Sequence, residues 1–273
     1  MSDARDPEAV FAGPIPEVYD RYLVPLIFEP YAVDLAARVA PLDATSLLEI
    51  AAGTGAVTRE LAARLPRSVA ITATDLNQPM LDHAAAVGTC RPVTWQQADA
   101  MDLPFADEAF DAVACQFGVM FFPDRAAALA EVRRVLRPGG TLVFNAWDEI
   151  GANAFTATVV DALRELFPDD PPVFLANVAH GYHDPDVMRA DVAAGGFAET
   201  ATVEAVEVTS RAALFRDPAI GFCQGSPMRN EIETRHPGRL HDATEASAAA
   251  VEARFGTNDI SGPIRAYVVT ARR

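Results

Sequence analysis

From residue 46 to residue 146, short apolar runs alternate with helical stretches, and this alternation constrains the fold more than any other feature. SLLEI (46–50), VAITAT (69–74), VTWQQ (93–97), FDAVAC (110–115) and TLVFNA (141–146) read as strands. Between them lie VTRELAARL, a helix opening near Asn77-Gln78-Pro79, and RAAALAEVRRVL, in which Leu129, Val132 and Leu136 mark one helical face. Pro138-Gly139-Gly140 stops the last of these helices. Such alternation predicts an α/β fold, a mostly parallel sheet with helices on both faces. Ligands on such sheets sit at the carboxyl ends of the strands, near the point where strand order reverses. Chemistry is therefore expected just after residues 50, 75, 97 and 115.

The flanks are less regular. Residues 16–40 read as helical, with Pro25 and Pro30 breaking the run. Residues 153–167 and 185–194 read as helices, and ATVEAVEVTS (201–210) and PIRAYVVTA (263–271) as strands. The 211–262 segment is too long for a hairpin and is expected to hold a helix opening at Asp242, with Glu245 placed for a capping box. The expected organisation is N-terminal helices in 1–44, a core in 45–147, cap insertions in 148–184 and 211–262, and remaining core in 185–210 and 263–273.

Composition narrows the chemistry. All 22 basic residues are arginine, so Schiff-base chemistry, a P-loop lysine and a lysine general base are impossible. With 38 acidic residues the formal charge is −16, which argues against a nucleic-acid partner because phosphate contacts need a basic surface. Cys90, Cys115 and Cys223 are odd in number and form no Cys-x-x-Cys pair, which reads as a reducing compartment without a disulfide framework or zinc cage. The start, MSDARDPEAV, lacks a signal sequence, and the longest nearly apolar run, 112–122, is short of the roughly 20 residues of a membrane span. A cytoplasmic protein with no membrane partner is expected.

The first strand runs into Glu49-Ile50-Ala51-Ala52-Gly53-Thr54-Gly55. Gly53 and Gly55 permit a tight turn and close backbone approach, and the following helix offers N–H groups. As a dinucleotide fingerprint the segment is poor, because Thr58 stands where the third glycine of G-x-G-x-x-G belongs. Asp75 follows the second strand, where a carboxylate can accept both hydroxyls of a ribose. Asp99 follows the third strand and precedes Ala100, where it could accept from an exocyclic amine. Each acid taken alone also reads as a helix cap or loop residue. Three acids converging on a glycine turn suit a hydroxyl- and amine-rich ligand with a cationic part, and suit a pyrophosphate badly.

LLEIAAGTGAVT, ATDLNQPML, ADAMDLPFADEAFDAV and EVRRVLRPGG, in this order and spacing, resemble class I S-adenosylmethionine-dependent methyltransferases. The set looks most like the group containing the ubiquinone/menaquinone-pathway C-methyltransferases and many small-molecule methyltransferases, over residues 45–146. The resemblance implies a Rossmann-like seven-stranded sheet with a small helical cap. It implies that Glu49 ties down the loop and, through water, the methionine amine, with Ala51, Gly53, Thr54 and Gly55 passing beneath the cofactor. Asp75 would bind the ribose diol, Leu76 the adenine face, Asp99 and Ala100 the adenine amine, and Gln116 would lie near the methionine moiety. Tyr19 and Tyr22 lie on a helix that in the family folds over the cofactor; Tyr22 is a candidate to close the methionine end and Tyr19 a substrate contact. One departure stands out: Ala51 occupies the place of the first glycine of E/D-x-G-x-G-x-G.

The segment after the fourth strand carries no Asn/Asp-Pro-Pro-Tyr/Phe, which argues against methylation of a nucleic-acid base. Its Phe117 and Met120 are candidates to line a pocket for a flat or greasy small molecule, with buried core as the plainer reading. His180 and His183 are the weak general-base candidates, and no third ligand makes their spacing a metal site. A base is dispensable in principle: positioning alone supplies up to about 7–11 kcal/mol, and base help is about 10²–10⁴-fold where the nucleophile must ionise. The expected activity is O-, N- or C-methylation of a small molecule. Two alternatives stay open: a non-methylating scaffold or cyclase on the same fold, and a nicotinamide-dependent oxidoreductase. Oligomeric state is not legible.

Overall fold

The computed structural model describes Phe11 and residues 13–273. Seven strands, β1 (Ser46–Glu49), β2 (Ala70–Asp75), β3 (Thr94–Gln97), β4 (Phe110–Gln116), β5 (Leu136–Trp147), β6 (Thr202–Leu214) and β7 (Asn258–Arg272), form one sheet in the order β3-β2-β1-β4-β5-β7-β6. β1 runs parallel to β2 and β4, as do β2 to β3 and β4 to β5, while β7 is antiparallel to β5. This is the Rossmann-like, mostly parallel seven-stranded sheet that was expected. Strand order reverses between β1 and β4, so the turn after β1 and the end of β4 flank the crevice where such sheets bind ligands.

Apolar runs become these strands because they are covered. Leu35, Val39, Leu47, Leu61, Ile71 and Val143 share one buried core across helices and sheet, each large side chain contributing about 1.5–3 kcal/mol by leaving water. The helix Arg125–Val135 is capped by Asp124, whose carboxylate accepts the Ala127 N–H at 3.0 Å. From its last turn Arg134 donates to the carbonyls of Leu103 (2.9 Å) and Phe105 (2.7 Å), and Glu131 accepts the Leu103 N–H at 3.1 Å. Two of the sequence motifs, DLPF and EVRRVL, are thus one hydrogen-bonded unit.

The chain divides into two compact units. The first takes the described residues up to Pro30, Asp148–Gly181 and Glu207–Arg265; the second takes Tyr31–Trp147, Tyr182–Val206 and Ala266–Arg273.

Two local expectations are corrected. Pro25 and Pro30 do not break the N-terminal helix: Tyr19–Phe28 winds with five-residue hydrogen bonds, the Glu29 N–H reaching Val24 O, and Glu29–Val39 continues as α-helix. The wider turn relieves the clash a proline ring makes with the preceding turn, and Pro30 falls in the first turn of its segment, where a missing N–H costs little. The helix expected to open at Asp242 opens at Leu240. Glu245 makes no capping box because it is the sixth residue of that helix and not the third; its two oxygens instead accept from Arg216, at 2.5 and 2.8 Å.

Candidate functional site

At the end of β1 the chain turns through residues 50–55 into the helix Ala56–Arg64. Ile50 N–H bonds Ala114 O of β4, and Ala52 N–H bonds Thr74 O of β2, each at 2.9 Å, so the loop is pinned to both neighbouring strands. Ala51, Gly53 and Gly55 all adopt left-handed backbone, with φ of 54°, 56° and 84°. Glycine does so freely; Ala51 bears a strain of roughly 1–2 kcal/mol. No side chain caps the helix that follows, which leaves its first turn to a polar ligand. Thr54, in the middle of the turn, is 1% exposed, and its hydroxyl has no hydrogen-bond partner among the described residues. A buried hydroxyl left this way fits a site completed by a ligand.

Two buried acids frame the turn. Asp75, at the end of β2, accepts Gly53 N–H on one oxygen and Asn77 N–H on the other, both at 2.8 Å. Oδ2 retains a second lone pair, and Oδ1 has beside its backbone bond only a long 3.4 Å contact from the Asn77 side-chain amide, which a hydroxyl can displace, so the group that shapes the loop can also accept from a diol. Burial raises its pKa against the pull of those two N–H donors. Glu49, 1% exposed, accepts the Thr58 hydroxyl at 2.6 Å. Burial pushes its pKa up to about 8, against the Thr58 hydrogen bond and the charge of Arg59.

That shift has a consequence for stability. Unfolded, Glu49 titrates near 4.5, and folded near 8. The folded state therefore holds the extra proton between these values, and its stability falls as pH rises from about 4.5 to about 8. Glu49→Gln removes this dependence. The melting temperature of the variant minus that of the wild type should climb across this window and level off above it. A pH-independent difference would show that Glu49 ionises normally.

At the end of β3, Asp99 is exposed and its carboxylate accepts Met101 N–H at 2.9 Å, while Ala100 beside it is buried. Leu76 is half-buried, and its carbonyl accepts from Gln97 at 2.9 Å. At the end of β4, Gln116 is half-buried and Phe117 is left-handed, with φ of 51°. Phe117 and Met120 are both buried; the Phe117 ring stacks on Trp147 at 3.7 Å, and Tyr31 meets both rings edge-on at 5.4 Å. Gly118 lies where a Cβ would come within 2.5 Å of Ala51 Cβ, so the loops after β1 and β4 touch there.

Glu49, Gly53, Thr54, Gly55 and Asp75 are thus brought together on one turn. Tyr19, Tyr22 and His180 belong to the other unit. There Tyr19 stacks on Phe28 at 4.8 Å, Arg21 lies 5.2 Å from the Tyr22 ring, and His180, buried, faces Asp148 O at 2.8 Å. His183 is exposed and precedes Asp184, which caps the helix Pro185–Ala194. Sequence reasoning missed three residues: Thr58, the hydroxyl partner of Glu49; Gly118, the point of loop contact; and Asn145 at the end of β5, which accepts the Phe117 N–H at 2.9 Å. Asn145 was findable, being a polar residue at the carboxyl end of an apolar strand. Thr58 was seen only as a missing glycine.

Residues 48–144 match the family described as a methyltransferase domain. The chain is 41% identical over 101 residues to the ubiquinone/menaquinone biosynthesis C-methyltransferase UbiE of Geotalea daltonii, a match covering 36% of this chain and 43% of that enzyme. It is 34% identical over 182 residues to the demethylmenaquinone methyltransferase of Thermus thermophilus, covering 61% of this chain and 79% of the relative. Among solved structures, the Haemonchus contortus phosphoethanolamine N-methyltransferase 2, in complex with phosphomonomethylethanolamine and S-adenosylhomocysteine, shares the fold with a TM-score of 0.59 at 15% identity, over 94% of this chain and 56% of that one. The left-handed loop, the unmatched Thr54 hydroxyl and the two buried acids fit S-adenosylmethionine, which is the cofactor, and the chain belongs to the class I S-adenosylmethionine-dependent methyltransferases.

Proposed function

We propose that the protein moves a methyl group from S-adenosylmethionine to a small apolar or aromatic molecule in the cytoplasm, the kind of substrate named for the quinone-pathway relatives. The observation that carries this reading is the turn after β1, in which Asp75 holds Gly53 and Thr54 lies buried with its hydroxyl unmatched. The cofactor, when bound, supplies an already activated methyl on a sulfonium. The chain's own part is then placement. Asp75 holds the ribose diol, Asp99 and Ala100 the adenine amine, and Glu49 braces the loop. Phe117, Met120 and Tyr19 are the proposed substrate contacts, Tyr22 a proposed cofactor contact, and His180 and His183 the proposed bases where the nucleophile must ionise. Thr58 argues against a nicotinamide enzyme: its hydroxyl is engaged by Glu49, and a side chain fills the place where a dinucleotide loop needs glycine. The cytoplasmic reading is supported by three free cysteines, Cys90, Cys115 and Cys223.

Titration calorimetry with S-adenosylhomocysteine, using NADH as control, tests the reading. Binding of the former alone, followed by methyl transfer to demethylated quinols or phenols, is the expected result; binding of NADH alone overturns it. A second expectation follows from Glu49. Its folded pKa of about 8 leaves it largely protonated at pH 7, and a cationic sulfonium nearby favours the carboxylate. Binding of S-adenosylmethionine at pH 7 should release a proton, read as a dependence of binding enthalpy on buffer ionisation enthalpy. Glu49→Gln should abolish that dependence, and its persistence would place the titrating group elsewhere.

A further inference from the structure

Arg91 lies in the link between the helix Gln78–Val87 and β3. With 38 acidic residues in the chain, arginines elsewhere meet carboxylates, as Arg38 meets Asp34 and Arg125 meets Asp191. Arg91 is the one buried arginine among the described residues, 8% exposed, and no carboxylate among them pairs with it. Its Nη1 donates to Pro66 O at 2.7 Å. That carbonyl also accepts the Val69 N–H, at 3.0 Å, in the turn leading into β2. Nε and Nη2 are buried too, and neither has a hydrogen-bond partner among the described residues. Burying a charge is costly unless it is paired and hydrogen-bonded, so two unmatched donors on a buried guanidinium call for an explanation.

Which donors are unmatched matters. Nη1, the engaged nitrogen, lies on the Cδ side of the group. Nε–H and Nη2–H share the opposite edge and point the same way. With that edge an arginine grips two oxygens at once, as carboxylates and phosphates present them. Pro66 and Arg91 stand ahead of β2 and β3, so the edge lies at the amino ends of these strands, whereas Asp75 and the cofactor turn lie at carboxyl ends. The chain around it is at the surface: Pro66, Arg67, Cys90 and Pro92 are exposed. A small shift of either loop therefore brings the edge to solvent. Gly88, left-handed at φ 79° with no atom closer than 4.0 Å to a Cβ built there, gives the second loop room to bend.

We infer that Arg91 forms an oxyanion-binding site separate from the cofactor site, its Nε and Nη2 taking the two oxygens of a carboxylate or phosphate group at the amino end of the sheet. The ligand supplies the countercharge that the chain, although strongly acidic, does not place there. Carboxylate and phosphate share this two-oxygen chemistry, and size and charge distinguish them. Nothing in the site requires the cofactor to be bound.

Calorimetric titrations with inorganic phosphate and with acetate, in chloride buffer at matched ionic strength, test it. The wild type should bind one equivalent of at least one of these anions, and the tighter of the two identifies the ligand group. Arg91→Met should weaken that binding at least about tenfold, the loss of one charge-assisted hydrogen bond or more. Arg91→Lys keeps the charge and loses the paired donors, so it should weaken binding at least about threefold. Affinity for S-adenosylhomocysteine should stay within about twofold of wild type in both variants, because the two sites lie at opposite ends of the strands. A wild type that binds neither anion, undiminished binding in Arg91→Met, or wild-type affinity in Arg91→Lys overturns the inference. Should Arg91→Met fail to fold, Arg91→Lys decides it. A parallel loss of S-adenosylhomocysteine in Arg91→Lys would show a general loosening of the fold in place of a site, and overturns it too.

Discussion

Asp75→Ala is expected to lower affinity for S-adenosylhomocysteine by about 10²–10⁴-fold, the largest single effect at the site. Two charge-assisted hydrogen bonds to a ribose diol, at about 1.5–3 kcal/mol each, account for that range. The loop also suffers directly, because Gly53 N–H and Asn77 N–H both lose their acceptor and the turn after β1 keeps only the Ala52–Thr74 backbone bond as its tie to β2. 5′-Methylthioadenosine, which carries the same adenine and ribose without the amino-acid end, should be lost in parallel. Asp75→Asn separates the two contributions. It keeps one acceptor for a backbone N–H and places an NH₂ against the other donor, so it should bind no better than alanine while melting closer to wild type. Calorimetry and a melting curve check both expectations, and unchanged affinity in Asp75→Ala would remove the residue from the site.

Gly118→Ala is expected to be the most damaging small substitution near the site. Its Cβ would come within 2.5 Å of Ala51 Cβ and 2.7 Å of Cys115 Sγ, both closer than packed atoms approach. Relieving that overlap moves either the β1 turn or the end of β4, at a cost of about 1–3 kcal/mol. The cofactor loop is one of the two partners, so affinity for S-adenosylhomocysteine should fall together with melting temperature. Ala51→Gly in the same chain removes the nearer of the two overlaps and the left-handed strain of Ala51, and should recover part of the loss. The Cys115 overlap persists, so recovery is incomplete. Additive rather than compensating effects in the double variant would show that the two loops do not meet as described.

The departure of Ala51 from the family's glycine pattern is explained by the same contact. A methyl group is accommodated at position 51 because position 118, more than sixty residues later, has none. Nothing in the spacing of either motif exposes that pairing. The motifs DLPF and EVRRVL were likewise legible only as strings in register, and the structure supplies the reason they occur together: Arg134 and Glu131 bond the backbone of 103–105. The prolines misled for a local reason. Pro25 breaks an α-helix but is tolerated where the hydrogen bonds span five residues.

What the residues determined unaided was periodicity and the ends of strands. Apolar runs of strand length between amphipathic helices dictate a parallel sheet, because such runs must be covered on both faces. A sheet of that kind places its chemistry at the carboxyl ends of its strands, which is why Glu49, Asp75 and Asp99 were singled out from position, whereas Gln116 entered only through the family resemblance. Tertiary structure decided which of these groups share bonds and in what state they are held. Burial, and not spacing, raises Glu49 to about 8. Thr58, one turn into the following helix, becomes its partner only because the loop folds back with three left-handed residues. Asn145 acquires its orientation from a backbone N–H on the neighbouring strand. Desolvation and the direction of a hydrogen bond depend on atoms distant in sequence, and they exist only once the sheet has brought those atoms together.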